Sequence, residues 1–236
     1  MSTATVDTPD YLTKCYWWAY LHPRALWFWD RPWLVNLILF GYYRRLSNEV
    51  FKEFAGNLSG RTLQISVPYG DFTPRLAAHI ARAGGALDLI DVVPAQLQNV
   101  GRKIAAADAA AVRFIQMDSS ALVFSPEAYD RAVLYFLLHE EPQEIREKTV
   151  REALRVLKPG GTLVVLDYGK LSVWHPLRYL LLPILGTIEP FAVALWNREL
   201  WELLPSQLSA ERCRKTSYFW GLYQKIVYVR PKIYTC

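Results

Sequence analysis

The 236-residue chain lacks the features that mark secreted and membrane-spanning proteins. Its three cysteines, Cys15, Cys213 and Cys236, share no metal-binding or redox spacing, which excludes a disulfide framework and is typical of a reducing compartment. No run of about 20 uncharged apolar residues occurs, so no membrane-spanning helix is predicted. The first ten residues are polar and carry two acids, unlike a signal or transit peptide. We therefore expect a cytoplasmic protein.

A strong basic excess is also missing. The net charge is +5, and it comes from residues 170–236, which hold nine Lys and Arg side chains but four acids. This excess is too small and too dispersed to predict nucleic-acid binding. An anionic membrane surface is the partner that it favours.

Tryptophan is absent from residues 56–169 but abundant on either side of them. Residues 11–46 hold 12 aromatic side chains, among them five of the nine tryptophans, and residues 170–205 are rich in Leu, Pro and Trp. This contrast predicts an N-terminal aromatic helical extension or lid at 1–55. It is followed by a domain at 56–236 with a helical insertion at about 170–210.

The middle of the chain alternates short apolar runs with helical patterns, which is typical of parallel βαβ units. We therefore predict an α/β, Rossmann-like fold with a mostly parallel sheet and helices on both faces. Strands are predicted at 62–67, 86–92, 112–116, 129–136 and 162–167, with one or two closing strands within 217–229. Helices are predicted at 73–82, 94–103 and 144–157.

Ligands of such a sheet bind at the carboxyl ends of its strands, so the residues there are candidates for cofactor binding. Asp91 ends the second strand, about 20 residues after the first loop, where an acid can accept both hydroxyls of a ribose. Asp118 follows the third strand, where an acid can meet an adenine amino group. The candidate cofactor-binding residues are Tyr69, Gly70, Asp71, Asp91, Val92, Met117, Asp118 and Ser119.

A further motif identifies the cofactor class. Residues 153–163, ALRVLKPGGTL, closely resemble the segment before the fifth strand of class I S-adenosylmethionine (SAM) methyltransferases. Together with Asp91 and Asp118, in the same order and spacing, they predict the class I SAM methyltransferase fold. A nicotinamide enzyme is disfavoured because no Gly-x-Gly-x-x-Gly follows the first strand.

The loop after the first strand departs from this resemblance. The usual pattern is acidic-x-Gly-x-Gly-x-Gly, but here Gln64, Ser66 and Pro68 replace the acid and two glycines, and Gly70 remains. Pro68 removes an N–H donor, and fewer glycines limit how closely a ligand approaches the backbone. Asp71 either restores the lost negative charge or caps the next helix. We expect the amino-acid end of SAM to have altered contacts.

Seven short motifs within and around this core are distinctive. They are WAYLHP (18–23), WLVNLIL (33–39), YGD (69–71), MDSS (117–120), LLHE (137–140), WHPLRY (174–179) and EPF (189–191). Through these motifs the chain resembles the rhodoquinone-biosynthesis proteins, a branch of the superfamily related to the ubiquinone and menaquinone methyltransferases. The resemblance covers residues from about 16 to 229.

The resemblance implies that a ring methoxy group of ubiquinone is replaced by an amino group, with SAM as the amino donor and a divalent metal, manganese, as a second cofactor. The altered loop fits a SAM that presents its amino group. Two alternatives stay open. The chain is a SAM-dependent methyltransferase acting on a lipid quinone or another small molecule, or it is a non-catalytic SAM-fold protein that binds quinones.

Amine substitution on a quinone ring needs a base and is helped by a Lewis acid. The catalytic candidates are Tyr135, His139, Glu140 and His175. Manganese accepts imidazole and carboxylate ligands, and the metal-binding candidates are His139, His175 and Asp167. The substrate-binding candidates are Tyr20, His22, Tyr179, Glu189 and Trp196. For each histidine, a purely structural role is the alternative.

The aromatic flanks fit an isoprenoid substrate. Residues 11–46 mix tryptophan and tyrosine with arginine, as in helices that lie in the headgroup region of a membrane. The alternative is that these aromatics build a lid and an apolar tunnel within the protein, and both can hold at once. We expect peripheral association with the inner membrane.

Overall fold

The computed structural model describes residues 7–18, 23–56, 58–204 and 213–232. Their strands are β1 (Arg61–Ile65), β2 (Ala86–Asp91), β3 (Val112–Gln116), β4 (Tyr129–Tyr135), β5 (Leu157–Tyr168), β6 (Cys213–Tyr218) and β7 (Tyr223–Val229). Their α-helices are α1 (Asp10–Cys15), α2 (Pro23–Trp29), α3 (Pro32–Ile38), α4 (Tyr43–Phe54), α5 (Phe72–Arg82), α6 (Pro94–Gly101), α7 (Gln143–Arg155), α8 (Pro176–Ile188) and α9 (Pro190–Leu195).

The described strands form one sheet in the order β3-β2-β1-β4-β5-β7-β6. The first five strands of that order are parallel to one another, and β7 pairs antiparallel with both β5 and β6. The strand order reverses between β1 and β4, which is the point where a doubly wound sheet opens a crevice for its ligand. The predicted mostly parallel α/β fold is thereby confirmed.

The central strands are covered on both faces. Leu63 and Ile65 in β1 and Val133 in β4 are fully buried, because α5 and the other helices cover the sheet. Helix α4 presents Leu46 and Val50 to the same core. The N-terminal segment thus shares a core with the sheet at α4, and the division of the chain at residue 55 stays a prediction.

Strand β5 begins at Leu157, five residues earlier than the sequence indicates. The Lys-Pro-Gly-Gly segment forms an irregularity within the strand, and the pairing register with β4 shifts between Tyr129 and Arg131. Gly160 adopts a φ of 81° and its N–H donates to the Arg230 carbonyl at 2.8 Å. The backbone at this position adopts a left-handed conformation, which glycine reaches at the least steric cost.

Two segments lie near the carboxyl end of β5. Residues 219–221 join β6 to β7 through a tight turn in which Phe219, Trp220 and Gly221 have φ values of 47°, 52° and 95°. The predicted insertion contains α8 and α9, which follow β5 directly. Across the described parts of the chain, no helix has the length and apolar character needed to cross a membrane.

Candidate functional site

A cavity of about 420 Å³ opens at the carboxyl ends of the parallel strands. Residues at or just after the carboxyl ends of β1, β2, β3, β4 and β5 all contribute to its wall, as the sheet topology requires. Five of the candidate cofactor-binding residues line it, namely Tyr69, Asp91, Val92, Met117 and Ser119. Four other candidates line the same space, namely Tyr135, His139, Glu140 and Glu189. The cavity thus brings both groups together.

Asp91 is held rigidly at the end of β2. One carboxylate oxygen accepts the N–H of Val67 and the other accepts the N–H of Val93, each at 2.8 Å. Burial raises the pKa of this carboxyl to about 6, although these backbone donors oppose the rise. Each carboxylate oxygen retains a further lone pair, so the side chain can accept hydrogen bonds from a ligand in the cavity.

Gln64, which replaces the usual acid, has a structural role in the altered loop. Its side-chain amide donates to the Ser66 carbonyl at 2.9 Å and lies 2.7 Å from the Thr73 hydroxyl. These contacts tie β1 to the start of α5 and hold Ser66 at a φ of 71°. A neutral amide therefore supports the turn that a glycine commonly makes.

The N-terminal segment clamps this loop from outside. The Gly70 N–H donates to Asp30 at 2.8 Å, and the Asp71 N–H donates to the Tyr43 hydroxyl at 2.6 Å. Lys103 donates to both Asp30 and the Gly70 carbonyl at 2.7 Å. The N–H groups of Gly70 and Asp71 are thus already bonded within the protein. In a glycine-rich loop such backbone N–H groups are free to bind an anionic ligand.

Asp71 lies outside the lining of the cavity. It occupies the position before α5, but its side chain makes no capping hydrogen bond and instead lies 3.2 Å from Arg44 and 3.9 Å from Arg75. Its carboxylate is therefore balanced by two arginines at the protein surface.

The acid predicted to meet the adenine is engaged in its own turn. Asp118 accepts both the N–H and the hydroxyl of Ser120 at 2.7 Å, which closes its own turn, and it lies outside the cavity lining. Ser119 does line the cavity and donates to Glu141 at 2.9 Å. Burial raises the pKa of Glu141 to about 7, while Ser119 and Thr149 oppose the rise.

His139 and Asp167 form a buried pair at the other end of the cavity. Nδ1 of His139 lies 2.9 Å from Asp167, and Nε2 lies 3.7 Å from Glu140 and 3.9 Å from Glu189. Burial lowers the pKa of His139, but Asp167, Glu189 and Glu140 outweigh it and raise the value to about 9. The imidazole is therefore a cation at neutral pH. Burial raises the pKa of Glu189, against the effect of His139.

Tyr135 lines the cavity but is also packed tightly. Its ring stacks on Phe72 with centroids 4.0 Å apart, and its hydroxyl lies 3.1 Å from the Ser47 hydroxyl. Burial raises the pKa of Tyr135, so the phenol stays neutral and its hydroxyl is a donor or acceptor rather than a base.

The structure does not bring together His139, His175 and Asp167, the three predicted metal ligands. His175 precedes α8, where its ring accepts the Leu177 N–H at 3.2 Å and packs against Phe219 outside the cavity lining. Among the described residues, no three His, Cys, Asp or Glu side chains are arranged to hold a metal ion. The structure thus gives His175 a helix-capping contact.

The remaining substrate candidates are dispersed. Tyr179 is 69% exposed and donates to the Val173 carbonyl at 3.1 Å. Trp196 is buried behind the cavity against Tyr168, with ring centroids 6.1 Å apart. Tyr20 and His22 lie outside the described residues. Glu189 is therefore the substrate candidate that the structure brings to the cavity.

Helices of the N-terminal segment and of the insertion supply the rest of the cavity wall. Tyr11 of α1 and Tyr16, the residue after α1, close over the loop after β2, where Tyr16 packs with Val93. Ile38 from α3 and Ile184 from α8 form an apolar opening. The helical periodicity of α8 could have indicated this apolar face, whereas nothing local marks Asp30 or Glu141 as site residues.

Comparison with protein families finds a match to the ubiE/COQ5 methyltransferase family over residues 33–187. The ubiquinone/menaquinone biosynthesis C-methyltransferase UbiE of Azotobacter vinelandii is 32% identical over 164 residues, which cover 66% of this chain and 63% of that protein. UbiE of Pseudomonas fluorescens is 34% identical over 144 residues, covering 58% of this chain and 53% of that protein. The chain thus matches less than two thirds of the length of either relative.

Solved structures share the fold. A SAM-dependent methyltransferase from Aquifex aeolicus superposes with a TM-score of 0.55 at 15% identity, covering 88% of this chain and 98% of that one. The [4+2]-cyclase SpnF superposes with a TM-score of 0.51 at 19% identity, covering 80% and 81%. At these identities the likeness concerns the fold alone, and the reaction must be argued from the site.

Proposed function

Because the chain belongs to the ubiE/COQ5 methyltransferase family, we propose that it uses SAM to methylate the ring of a lipid quinol. The observation that carries the proposal is the cavity itself. It joins the strand ends expected to hold SAM, the charged His139–Asp167 pair and an apolar opening between α3 and α8. The carboxyl ends of the strands supply the polar groups, and the added helices supply the apolar ones.

The polar residues of the cavity fit SAM. Asp91 is oriented for the ribose, and Glu141 has one carboxylate oxygen, Oε2, that is buried without a hydrogen-bond partner among the described residues. An unpaired buried oxygen in a cavity wall is a natural acceptor for a ligand donor. When bound, SAM supplies a methyl group activated by its sulfonium.

The His139–Asp167 pair suits a substrate with ionisable ring oxygens. Asp167 holds the imidazole through Nδ1, which leaves Nε2 to donate to a ring oxygen in the cavity. Such a donor favours the ionised form of the ring hydroxyl, whose proton is released to solvent. The ionised oxygen in turn donates electron density to the ring and makes the neighbouring ring carbon nucleophilic. We assign Glu189, whose carboxylate lies 3.9 Å from Nε2 of His139, the role of the base that would take the ring proton as the ring carbon accepts the methyl group.

The apolar opening suits an isoprenoid chain. Ile184 and Ile188 of α8 line it, and on the outer surface Trp33 of α3 is 60% exposed and Trp174 before α8 is 91% exposed. Exposed tryptophans on or next to helices that line an apolar cavity favour contact with the headgroup region of a membrane. We therefore propose that the protein binds peripherally to the inner membrane and takes its substrate from it.

A second candidate reaction is the replacement of a ring methoxy group by an amino group from SAM. It is favoured by the altered loop, in which Gln64 and Pro68 stand where an acid and a glycine are usual. The N–H groups of Gly70 and Asp71 are bonded to Asp30 and Tyr43, so the amino-acid end of SAM meets changed surroundings. The comparisons with UbiE proteins favour methyl transfer.

One assay separates these reactions. The purified chain is incubated with SAM and a short-chain quinol, with and without manganese, and the quinone and the spent cofactor are analysed by mass spectrometry. Methyl transfer adds one methyl group to the ring and releases S-adenosylhomocysteine. Replacement of a methoxy by an amino group would establish the second reaction instead, and SAM binding without turnover on several quinones would indicate a non-catalytic protein.

A matched pair of variants links the product to the site. Glu189→Gln keeps the size of a side chain that lines the cavity but removes its capacity to accept a proton, so turnover is expected to fall by about a hundredfold or more. Glu199→Gln alters an acid of the same insertion that pairs with Lys215 on the surface, and its turnover is expected to stay within about twofold. Equal turnover of both variants would contradict the role of Glu189.

A further inference from the structure

Glu141 is a buried acid that the sequence patterns do not mark. It follows the helical turn after β4, lines the cavity, and is completely inaccessible to solvent. Acids are rarely buried to this degree without a charged partner or a full set of hydrogen bonds. Its surroundings therefore need an explanation.

The two carboxylate oxygens of Glu141 differ sharply. Oε1 accepts the hydroxyls of Ser119 and Thr149, each at 2.9 Å. Oε2 is buried and has no hydrogen-bond partner among the described residues. The nearby Arg146 donates at 2.8 Å to the backbone carbonyl of Glu141 rather than to the carboxylate. The carboxylate is thus held by one oxygen and presents the other unpaired.

Glu141 lies close to the residues after β3, where the adenine base of the cofactor is expected. Asp91 at the end of β2 is oriented for the ribose, and β3 is the next parallel strand. A base attached to that ribose therefore extends toward the residues after β3. Ser119 lines the cavity there and binds Glu141, whereas Asp118 is engaged with Ser120 in its own turn.

We propose that Glu141, rather than Asp118, recognises the exocyclic amino group of the cofactor's adenine, with Oε2 as the acceptor. This inference rests on the proposed use of SAM. Ser119 and Thr149 fix the orientation of the carboxylate through Oε1. A fixed acceptor admits an amino group and rejects a carbonyl oxygen at the same position, because two acceptors cannot bond to each other.

The charge state of Glu141 sharpens this selectivity. Burial raises its pKa to about 7, opposed by Ser119, Thr149 and Arg146 and supported by Asp118. Tyr11 of α1 and Glu140 of the same turn also face this region. A protonated carboxyl can donate to a carbonyl oxygen, whereas an ionised one cannot. Discrimination against a purine with a carbonyl group is thus expected to increase as the pH rises from 6 to 8.

The test compares two ligands that differ in this group. Calorimetry at pH 8 measures the affinity of the full chain for S-adenosylhomocysteine and for S-inosylhomocysteine, in which a carbonyl oxygen replaces the amino group. The wild-type chain is expected to prefer the adenine ligand by about tenfold to a hundredfold. Glu141→Gln offers an amide donor to the carbonyl oxygen, so the preference is expected to fall to within about threefold.

Two further variants make the result decisive. Asp118→Asn is expected to keep the wild-type preference, and loss of the preference in this variant but not in Glu141→Gln would overturn the inference. Glu141→Leu replaces the buried acid by an apolar side chain and is expected to lose the preference too, which keeps the test valid if the glutamine variant does not fold.

The proposed function and this inference fail in different ways. If the wild-type chain does not bind S-adenosylhomocysteine, the use of SAM is wrong and the inference falls with it. If the wild-type chain binds that ligand and all Glu141 variants keep its preference for adenine, the use of SAM stands and the role of Glu141 is overturned.

Discussion

Replacing His139 by glutamine is expected to remove a pH dependence from the free energy of unfolding. In the folded protein His139 is buried and lies 2.9 Å from Asp167, with Glu140 and Glu189 beyond Nε2. Burial alone would lower the pKa of this histidine, but the three acids raise it from 6.5 to about 9. In the unfolded chain the same imidazole has an ordinary pKa.

The folded state therefore holds the His139 proton more tightly than the unfolded state does. Its contribution to stability is present in full below about pH 6.5 and is lost as the pH rises through about 9. The difference between these two pKa values corresponds to roughly 3 kcal/mol, at about 1.4 kcal/mol for each pH unit. This value is an upper bound, because His139 and the acids around it titrate together and the change in free energy belongs to the whole group rather than to His139 alone.

The assay is urea unfolding of the ligand-free chain at pH 6, 7, 8, 9 and 10, carried out in parallel for wild type and His139→Gln. Lysine, tyrosine and cysteine titrations are common to both chains and largely cancel in the difference. The stability advantage of wild type over the variant is expected to shrink by up to about 3 kcal/mol between the lowest and highest pH.

Asp167→Asn provides the matched control. Asp167 is the largest of the effects that raise the pKa of His139, so without its carboxylate the pKa should fall under the influence of burial. The dependence of the free energy of unfolding on pH above pH 7 should therefore weaken. A stability difference between wild type and His139→Gln that stays flat from pH 6 to pH 10 would refute the reasoning, because it would mean that the buried imidazole does not gain a proton on folding.

Three further outcomes are expected. Gly70→Ala should destabilise the protein by about 1–3 kcal/mol in urea unfolding, because φ is 90° and the added Cβ would overlap the Tyr43 hydroxyl; a change under about 0.5 kcal/mol would contradict the clamp. Trp174→Ser should reduce flotation with anionic liposomes several-fold, whereas Val123→Ser, at an 83% exposed residue of the loop after β3, should not; equal flotation of both would reject this membrane contact. Asp30→Asn should weaken S-adenosylhomocysteine binding by about tenfold, since the Gly70 N–H and Lys103 lose a charged acceptor; unchanged affinity would show that the cofactor loop does not depend on it.

The sheet and its ligand edge were predictable because their signals are local. Apolar runs mark β4 and β5, and parallel strands necessarily bring their carboxyl ends to one edge. Asp91, Met117 and Ser119 could therefore be placed at the cavity from their positions after strands alone. The start of β5 was missed because a Pro-Gly-Gly segment, which usually ends an element, is here accommodated as an irregularity within the strand.

Other predictions failed or were incomplete because they depend on contacts between distant residues. His175 and His139 are both single histidines in short, largely apolar motifs, yet one caps α8 and the other lies in the cavity beside Asp167. Asp118 stands at the expected position, but its carboxylate closes its own turn. A sequence shows which side chain follows a strand, and it does not show which way that side chain turns.

The sequence by itself determined the α/β class, the order of the strand-end residues and the alteration of the loop at Gln64 and Pro68. These follow from periodicity and from residue chemistry, both of which act over a few positions. Only the tertiary structure decided that Asp30 and Tyr43 hold that loop, and that Glu141 in the cavity wall has a buried oxygen without a hydrogen-bond partner among the described residues. Asp30 lies 40 residues before its partner Gly70, so folding alone brings the two together.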